Sequence, residues 1–282
     1  MIDPFDYKEP PCATCGGKEF YSPEKDAPKG RIPVKRVIEK VDEAFNSNDL
    51  AEAGRLLEFW QKEALSLEDK SGELSVTDEL IGYYRKTGEA EKGLAAVSRA
   101  LELLKELSLE KTVSGATIIL NAATTMKAFG KAEKALPLYN AAEETLENLL
   151  DKEDVLLAGL YNNKALALAD ANNAKEAENY YKKAISVMEK AENGRLDEAV
   201  SYVNLAVLYS RQGEEKSKIT DCMFSAYELL TDERNEKNGY YAFVLSKCAP
   251  AFGEFGYDKI ERELSKESEE IYARNRHSRK VV

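Results

Sequence analysis

Three asparagines recur at a spacing that suits the binding of a peptide backbone. Asn121, Asn163 and Asn204 each lie nine residues before a glycine or asparagine that interrupts the surrounding helical pattern. A primary amide has two N–H donors and two acceptor lone pairs, so one side chain could hold both the N–H and the C=O of an extended peptide. Side chains at matching positions of stacked repeats form a row along one surface. Asn162, beside Asn163, is a fourth candidate.

The residue type alone leaves two interpretations of these asparagines open. On a binding surface they would hold a ligand, whereas between neighbouring helices they would fix the packing angle, because buried amides need hydrogen-bond partners in either place. Four charged residues are expected on the same surface: Arg85, Lys127, Asp170 and Arg211. The three cations among them could pair with a carboxylate-rich or C-terminal peptide, and the plainer alternative is that each charge is solvated.

A CxxC pair is the other pattern that could do chemistry. Cys12 and Cys15 have half of a zinc-ribbon spacing, but tetrahedral zinc needs four ligands and the sequence has no second CxxC. The remaining candidates are Cys222 and Cys248, in predicted helices, and His277 near the C-terminus. Zinc shared by two chains and a redox pair stay open, but a turn that packs against the first repeat is favoured. We expect no metal and no cofactor.

Enzymatic chemistry has little support in the sequence. The chain has one histidine, His277, so a Ser-His-Asp or Cys-His arrangement would have to be built from the basic C-terminal end. The sequence contains no phosphate-binding glycine loop, no HExxH and no GxGxxG. We therefore predict a non-enzymatic protein.

Charge and hydropathy restrict the partners. The chain of 282 residues has a formal net charge of -11, so phosphate backbones and anionic membrane surfaces would be repelled by most of its surface. No apolar run approaches the roughly 18 residues that span a bilayer, and the N-terminal sequence lacks the features of a signal peptide. We expect a cytoplasmic protein that binds a protein or peptide and neither nucleic acid nor membranes. A homo-oligomer stays open.

The elements that must position these residues are helices separated by regular breaks. Residues 1–31 are rich in proline and glycine, which no long helix tolerates, whereas apolar residues recur at helical spacing from Ile32 onward. The breaks recur every 41–43 residues, at Gly88, Gly130, Asn172, Gly213 and Gly256. Each is a residue type that tolerates the left-handed backbone found after a helix C-terminus. The segment 46–49 occupies the equivalent place one period earlier.

Small residues keep fixed places after the breaks, which indicates paired helices. Ala135 and Ala142 lie five and twelve residues after Gly130, and Ala177 and Ala184 lie likewise after Asn172. Small side chains at both places let two helices approach closely. We predict six helical pairs between an irregular arm (1–31) and a basic tail (276–282), over residues 32–68, 69–108, 109–150, 151–192, 193–233 and 234–275. Pro137 should kink its helix or make it start late.

Residues 32–275 resemble tetratricopeptide repeats, most clearly in YNNKALALADANNAKEAENYYKKA (161–184) and YVNLAVLYSRQG (202–213). The family's repeat has about 34 residues and closes with a proline, which is missing here. Longer repeats of this kind resemble those of kinesin light chains and of bacterial peptide-sensing regulators. The resemblance implies an all-α, right-handed α-solenoid of about six helical hairpins. Asparagines in a comparable LNNLA stretch of kinesin light chains hold cargo peptides, which implies a peptide-clamping role for Asn121, Asn163 and Asn204.

Three functions are consistent with the sequence. The favoured one is a scaffold or adaptor that holds an extended peptide in a concave groove. The second is a peptide-signal sensory module, although residues 1–31 cannot supply the DNA-binding helix-turn-helix that the resembling regulators carry. The third is a structural subunit that associates with itself.

Overall fold

The computed structural model describes residues 28–280, which form twelve α-helices and no β-strand. First helices of hairpins have odd numbers and second helices have even numbers. In chain order the helices are α1 (Val34–Asn46), α2 (Leu50–Ser66), α3 (Lys70–Thr87), α4 (Ala90–Glu106), α5 (Val113–Ala128), α6 (Ala132–Leu149), α7 (Val155–Asp170), α8 (Ala174–Met188), α9 (Arg195–Arg211), α10 (Lys216–Leu230), α11 (Gly239–Glu254) and α12 (Asp258–Lys280). The predicted all-α class of helical hairpins is confirmed.

Each hairpin turns at a residue with a left-handed backbone. A positive φ just after a helix lets the chain reverse while the last carbonyls of that helix keep hydrogen-bond partners. The six φ angles are 53° at Asn48, 78° at Gly88, 74° at Gly130, 59° at Asn172, 68° at Gly213 and 85° at Gly256. The regular breaks in the sequence are therefore the turns between first and second helices.

Short polar side chains begin several of the first helices. Asp69 Oδ1 accepts a hydrogen bond from the backbone N–H of Gly72 over 3.1 Å, and Asp69 Oδ2 accepts one from Ile32 over 3.0 Å. Thr112 Oγ1 accepts from Gly115 N over 3.0 Å. These bonds satisfy backbone donors that a helix start leaves open. Asp69 also holds the segment that precedes α1 against the start of α3.

The chain divides near Leu149 into two compact units, which are described separately. In the first unit, α3 packs against α2, α4 and α5, and α5 packs against α6. In the second unit, α9 packs against α7, α8, α10 and α11. The consecutive first helices α3 and α5 are thus neighbours in the first unit, and α7, α9 and α11 are neighbours in the second, which brings equivalent positions of these repeats together.

The small residues after the breaks lie in the core. Ala135, Ala142, Ala177 and Ala184 are all fully buried. At the equivalent place in α4, a β-carbon added to Gly93 would lie 2.7 Å from the Phe129 ring, so the helices there leave no room for a larger side chain. The alanines are buried because the helices approach closely at these positions, as their spacing predicted.

Individual helices bear on three expectations from the sequence. Pro137 lies inside α6, which begins at Ala132, so the proline does not delay the helix start. Helix α12 continues through Lys280, into the segment predicted as a tail. None of the helices within residues 28–280 is long and apolar enough to cross a membrane.

Candidate functional site

The predicted asparagines lie on first helices and are buried. Asn121 is on α5 of the first unit, Asn162 and Asn163 are on α7 of the second unit, and Asn204 is on α9. Their exposed fractions are 9%, 1%, 1% and 2% in that order. Because buried amides normally have all their polar atoms hydrogen-bonded, the partners of each amide decide what it can do.

Asn162 and Asn204 form an amide pair between α7 and α9. Asn204 Nδ2 donates to Asn162 Oδ1 over 3.1 Å, and Ser201 Oγ donates to the same oxygen over 3.2 Å. Two buried groups of this amide pair have no hydrogen-bond partner among the described residues, namely Asn162 Nδ2 and Asn204 Oδ1. The pair therefore retains one donor group and one acceptor.

The other two asparagines also retain an acceptor. Asn121 Nδ2 donates to Asp78 Oδ1 on the neighbouring first helix α3 over 2.9 Å. Its own Oδ1 is buried and accepts no hydrogen bond from the part of the chain that the structure describes, and the same holds for Oδ1 of Asn163. Asn121 in the first unit thus resembles Asn204 in the second, because each amide nitrogen bonds the preceding first helix while the amide oxygen is left over.

The four predicted charged residues have different surroundings. Arg85 is buried and donates from Nη1 to Thr125 Oγ1 over 3.2 Å, and Lys127 is also buried. The solvated interpretation is therefore wrong for both. Arg211 at the end of α9 is 52% exposed and lies 3.4 Å from Asp170 Oδ1 at the end of α7. This long ion pair leaves most donors of the guanidinium in solvent.

Burial changes the protonation of Asp78. Desolvation raises the pKa of this carboxyl from 3.8 to about 6, although the hydrogen bond from Asn121 and the charge of Arg85 both act to lower it. A carboxylate that is removed from water loses hydration, and two partners replace it only in part. Asp78 thus takes up a proton in mildly acidic solution.

Two further acids on α9 are buried. The hydroxyl of Tyr240 on α11 donates to Asp197 Oδ1, which connects two neighbouring first helices. Desolvation raises the pKa of Asp197 to about 7 despite that hydrogen bond. Desolvation and the nearby Glu189 also raise the pKa of Glu198 to about 7. The hydrogen bond from Tyr240 holds two first helices together, so packing accounts for the burial of Asp197.

A shallow depression opens between α7 and α9 beside the amide pair. Its wall contains Leu166 and Ala169 from α7, Tyr181 from α8, and Asn204, Val207 and Arg211 from α9. The depression holds about 240 Å³, including space open to solvent. Asn204 thus lines this hollow, and its unpartnered Oδ1 is itself buried.

Sequence reasoning missed several residues that join neighbouring first helices, and two of them, Ser201 and Thr125, are partners of predicted residues. Ser201, Thr125 and Tyr240 were not predicted, yet each bonds a neighbouring first helix. Ser201 lies three residues before Asn204 and therefore on the same helix face, which is a usable signal. A second signal is separation by one repeat, because 43 residues separate Asp197 from Tyr240.

The predicted low-priority zinc ligands Cys12 and Cys15 lie outside the described residues. Within 28–280, no three or more His, Cys, Asp or Glu residues come together in a way that could hold a metal ion. The thiols of Cys222 and Cys248 are buried, and burial raises their pKa to about 11 and about 12. Both are thus protonated, inert core residues at neutral pH.

A family model of the tetratricopeptide repeat matches residues 156–217. The matched segment contains Asn162, Asn163 and Asn204 and extends from α7 to the start of α10. None of the curated proteins compared with the chain matches it.

Solved structures of tetratricopeptide-type proteins share the fold. BtubC (BKLC) from P. vanneervenii is 22% identical, with 72% of this chain and 84% of that chain covered and a TM-score of 0.60. A putative kinesin light chain with nearly identical TPR-like repeats from Podosopora anserina is 15% identical over 71% and 95% of the two chains, with a TM-score of 0.50. A Rap protein complexed with competence and sporulation factor is 14% identical over 86% and 76%, with a TM-score of 0.55. The predicted resemblance is confirmed.

Proposed function

We propose that this chain, which has the tetratricopeptide repeat fold, is a non-enzymatic scaffold that holds an extended peptide or protein segment on its first helices. The observation that carries the proposal is the amide pair of α7 and α9. Asn162 and Asn204 use one donor and one acceptor on each other, and they keep Asn162 Nδ2 and Asn204 Oδ1 for a ligand. An extended peptide backbone offers the complementary C=O and N–H groups.

The energetic argument favours a polar ligand at this pair. A buried polar group without a partner costs about 1–3 kcal/mol, so a ligand that reaches both groups regains part of that cost. A purely apolar ligand would leave both groups unpaired. Asn163 Oδ1 on the same helix adds a second acceptor, and Asn121 Oδ1 offers an equivalent one in the first unit.

The packing role and the binding role of these asparagines are compatible. The Nδ2 groups of Asn121 and Asn204 bond the preceding first helix, which holds each side chain in one orientation. That orientation fixes where the oxygen lies before a ligand arrives, which lowers the entropy lost on binding. The nitrogen of each amide therefore bonds the neighbouring first helix, and its oxygen is kept for the bound peptide.

The charged residues divide into supporting and contacting roles. Arg85 donates to Thr125, so we assign it to the α3–α5 contact, and Lys127 is buried on the same helix as Asn121. Arg211 lines the second-unit depression and lies 3.4 Å from Asp170 Oδ1, and its exposure suits contact with a peptide. A protein or peptide partner fits this mixture of charges better than a polyanion does.

Similar structures support the proposal. The Rap protein shares the fold at a TM-score of 0.55 and was solved with competence and sporulation factor bound, which is a precedent for a bound factor on this architecture. The net charge of -11 argues against nucleic acid and anionic membranes as partners. We include a cytoplasmic location in the proposal.

The test is capture from a displayed pool of random dodecapeptides. We compare the unchanged protein with Asn121→Ala/Asn163→Ala/Asn204→Ala and with Ser201→Ala as a matched control. Ser201→Ala removes a hydrogen bond to Asn162 Oδ1 but none of the unpartnered atoms. We expect enrichment by the unchanged protein and by Ser201→Ala, and none by the triple variant at equal folded content. Equal enrichment by all three, or none by any, would refute the proposal.

A further inference from the structure

Helix α2 has an apolar patch on the side that faces away from α3. Leu56, Phe59 and Trp60 form this α2 patch, because positions i, i+3 and i+4 share one face of a helix. Phe59 is 52% exposed, and the other two side chains are partly exposed. The opposite side of α2 is occupied, since a β-carbon added to Gly54 would collide with the hydroxyl of Tyr83 on α3. The patch therefore lies on the outer edge of the first hairpin.

Trp60 distinguishes this edge from the hairpins that follow. It lies twelve residues after the left-handed turn residue Asn48. A large side chain is accommodated there because no hairpin precedes α1 within residues 28–280. Terminal repeats of an array normally need a cap over their outer face. The same place after the next three turns holds fully buried alanines, namely Ala100, Ala142 and Ala184.

The chain enters the first hairpin beside the end of α2. The backbone N–H of Lys29 donates to the carbonyl oxygen of Leu67, the residue that follows α2, over 2.9 Å. Gly30 lies against the Leu67 side chain, since an added β-carbon would be 3.1 Å from Leu67 Cδ2. Leu67 is eight residues beyond Phe59, which corresponds to about 12 Å at the rise of a helix. The segment that precedes residue 28 is therefore attached close to the patch.

That segment, residues 1–27, lies outside the described residues, and its sequence places aromatic side chains within reach of the patch. Phe20 and Tyr21 are eight and seven residues before Pro28. An extended chain spans about 3.3 Å per residue, so seven residues reach about 23 Å, roughly twice the distance back to Phe59. A short tether gives an effective concentration in the millimolar range, which favours this segment over a second copy of the protein.

We infer that residues 1–27 cover the α2 patch, with Phe20 and Tyr21 packed against Phe59 and Trp60. The contact removes apolar surface from water and pairs aromatic rings, both of which are favourable. The segment thereby takes the place of a preceding hairpin and caps the array. The inference is independent of the proposed peptide binding, which uses first helices, whereas α2 is a second helix.

Quenching by acrylamide tests the cover, because Trp60 is the only tryptophan of the chain. We compare the unchanged protein with Phe20→Ser/Tyr21→Ser and, as the matched control, with Phe5→Ser/Tyr7→Ser. The quenching constant should rise about twofold in the first variant alone, since an uncovered indole presents more of its surface. An unchanged constant, or the same rise in both variants, would overturn the inference. So would a constant that falls as the protein concentration rises, because a second copy would then cover the patch.

Proteolysis tests the contact from the side of α2. Trypsin cuts after Lys18 and Lys25, which flank the two aromatic residues of the segment, and cleavage follows the fraction of molecules in which the segment is released. Phe59→Ser should speed this cleavage about fivefold or more. The matched control is Phe224→Ser, at a residue that is 60% exposed on α10, and it should leave the rate unchanged. Equal cleavage rates for the two variants would overturn the inference.

Discussion

Asn204 on α9 donates its amide Nδ2 to Oδ1 of Asn162 on α7, 42 residues earlier in the chain. The same relationship joins Asn121 to Asp78 and Tyr240 to Asp197, each 43 residues apart. Polar side chains one repeat apart therefore join neighbouring first helices in both units. Because each asparagine uses its nitrogen for this contact, the groups that remain for a ligand are set by the packing of the helices.

Replacing Asp78 with asparagine should change how stability depends on pH. The pKa of Asp78 rises from 3.8 to about 6 on folding, so the folded protein binds the proton more tightly than the unfolded chain does. The free energy of unfolding that this group contributes thus falls as the pH rises from 4 to 6. Asp78→Asn should be nearly neutral at pH 4 and stabilising by about 3 kcal/mol at pH 7.

Urea unfolding at pH 4, 5.5 and 7 measures this difference. The unchanged protein is the control at each pH, so that titration of Asp197, Glu198 and other groups cancels from the comparison. A stability difference that is constant from pH 4 to pH 7, or that turns destabilising at pH 7, would refute the account of Asp78.

The Arg99–Glu73 ion pair should matter more than the surface pairs. Arg99 Nε and Nη2 donate to the two oxygens of Glu73 over 2.7 and 3.0 Å, and the Glu73 side chain is only 5% exposed. Arg99→Ala would leave that carboxylate buried and unpaired, which should lower the free energy of unfolding by about 2 kcal/mol.

The matched control is Lys266→Ala, which removes an exposed pair with Glu270 at 3.8 Å. Exposed pairs contribute little, so its effect should be below about 0.5 kcal/mol. Similar losses for the two variants in urea unfolding would show that burial of Glu73 does not set the energy of the pair.

Backbone strain should be measurable at Gly130. Its φ is +74°, and an added β-carbon would meet no atom within 4 Å, so Gly130→Ala tests the left-handed conformation without a clash. We expect a loss of about 1 kcal/mol in the free energy of unfolding. Asn140→Ala, at an exposed position of helix α6, should cost nothing, because alanine is the better helix former. An equally tolerated Gly130→Ala would contradict the assigned turn.

The fold could be predicted because its signals are local and repeated. The breaks at Gly88, Gly130 and Asn172 require a left-handed backbone, and the small residues after them require close helix packing. Both requirements are visible in residue type and spacing, and six repetitions reinforce each other. Pro137 was ambiguous because its effect depends on where the helix begins, which tertiary packing decides.

The site could be predicted only in part, because hydrogen-bond partners come from the next repeat. The sequence indicated that Asn121, Asn162, Asn163 and Asn204 matter, but not which end of each amide is engaged. That assignment depends on Asp78 and Ser201, which approach only after helices pack. Burial of Arg85 was likewise hidden, since a charged residue on a helix is usually solvated.

The central claim is that the unpartnered Oδ1 of Asn204, and not the helix contact made by its Nδ2, serves a ligand. The most direct test is the affinity of one enriched dodecapeptide, measured by fluorescence anisotropy, for the unchanged protein, Ser201→Ala and Asn204→Ala. We predict that Asn204→Ala weakens binding about tenfold or more and that Ser201→Ala changes it by less than about threefold, with equal helical content. Equal weakening by both variants would contradict the claim, because the asparagine would then serve packing alone.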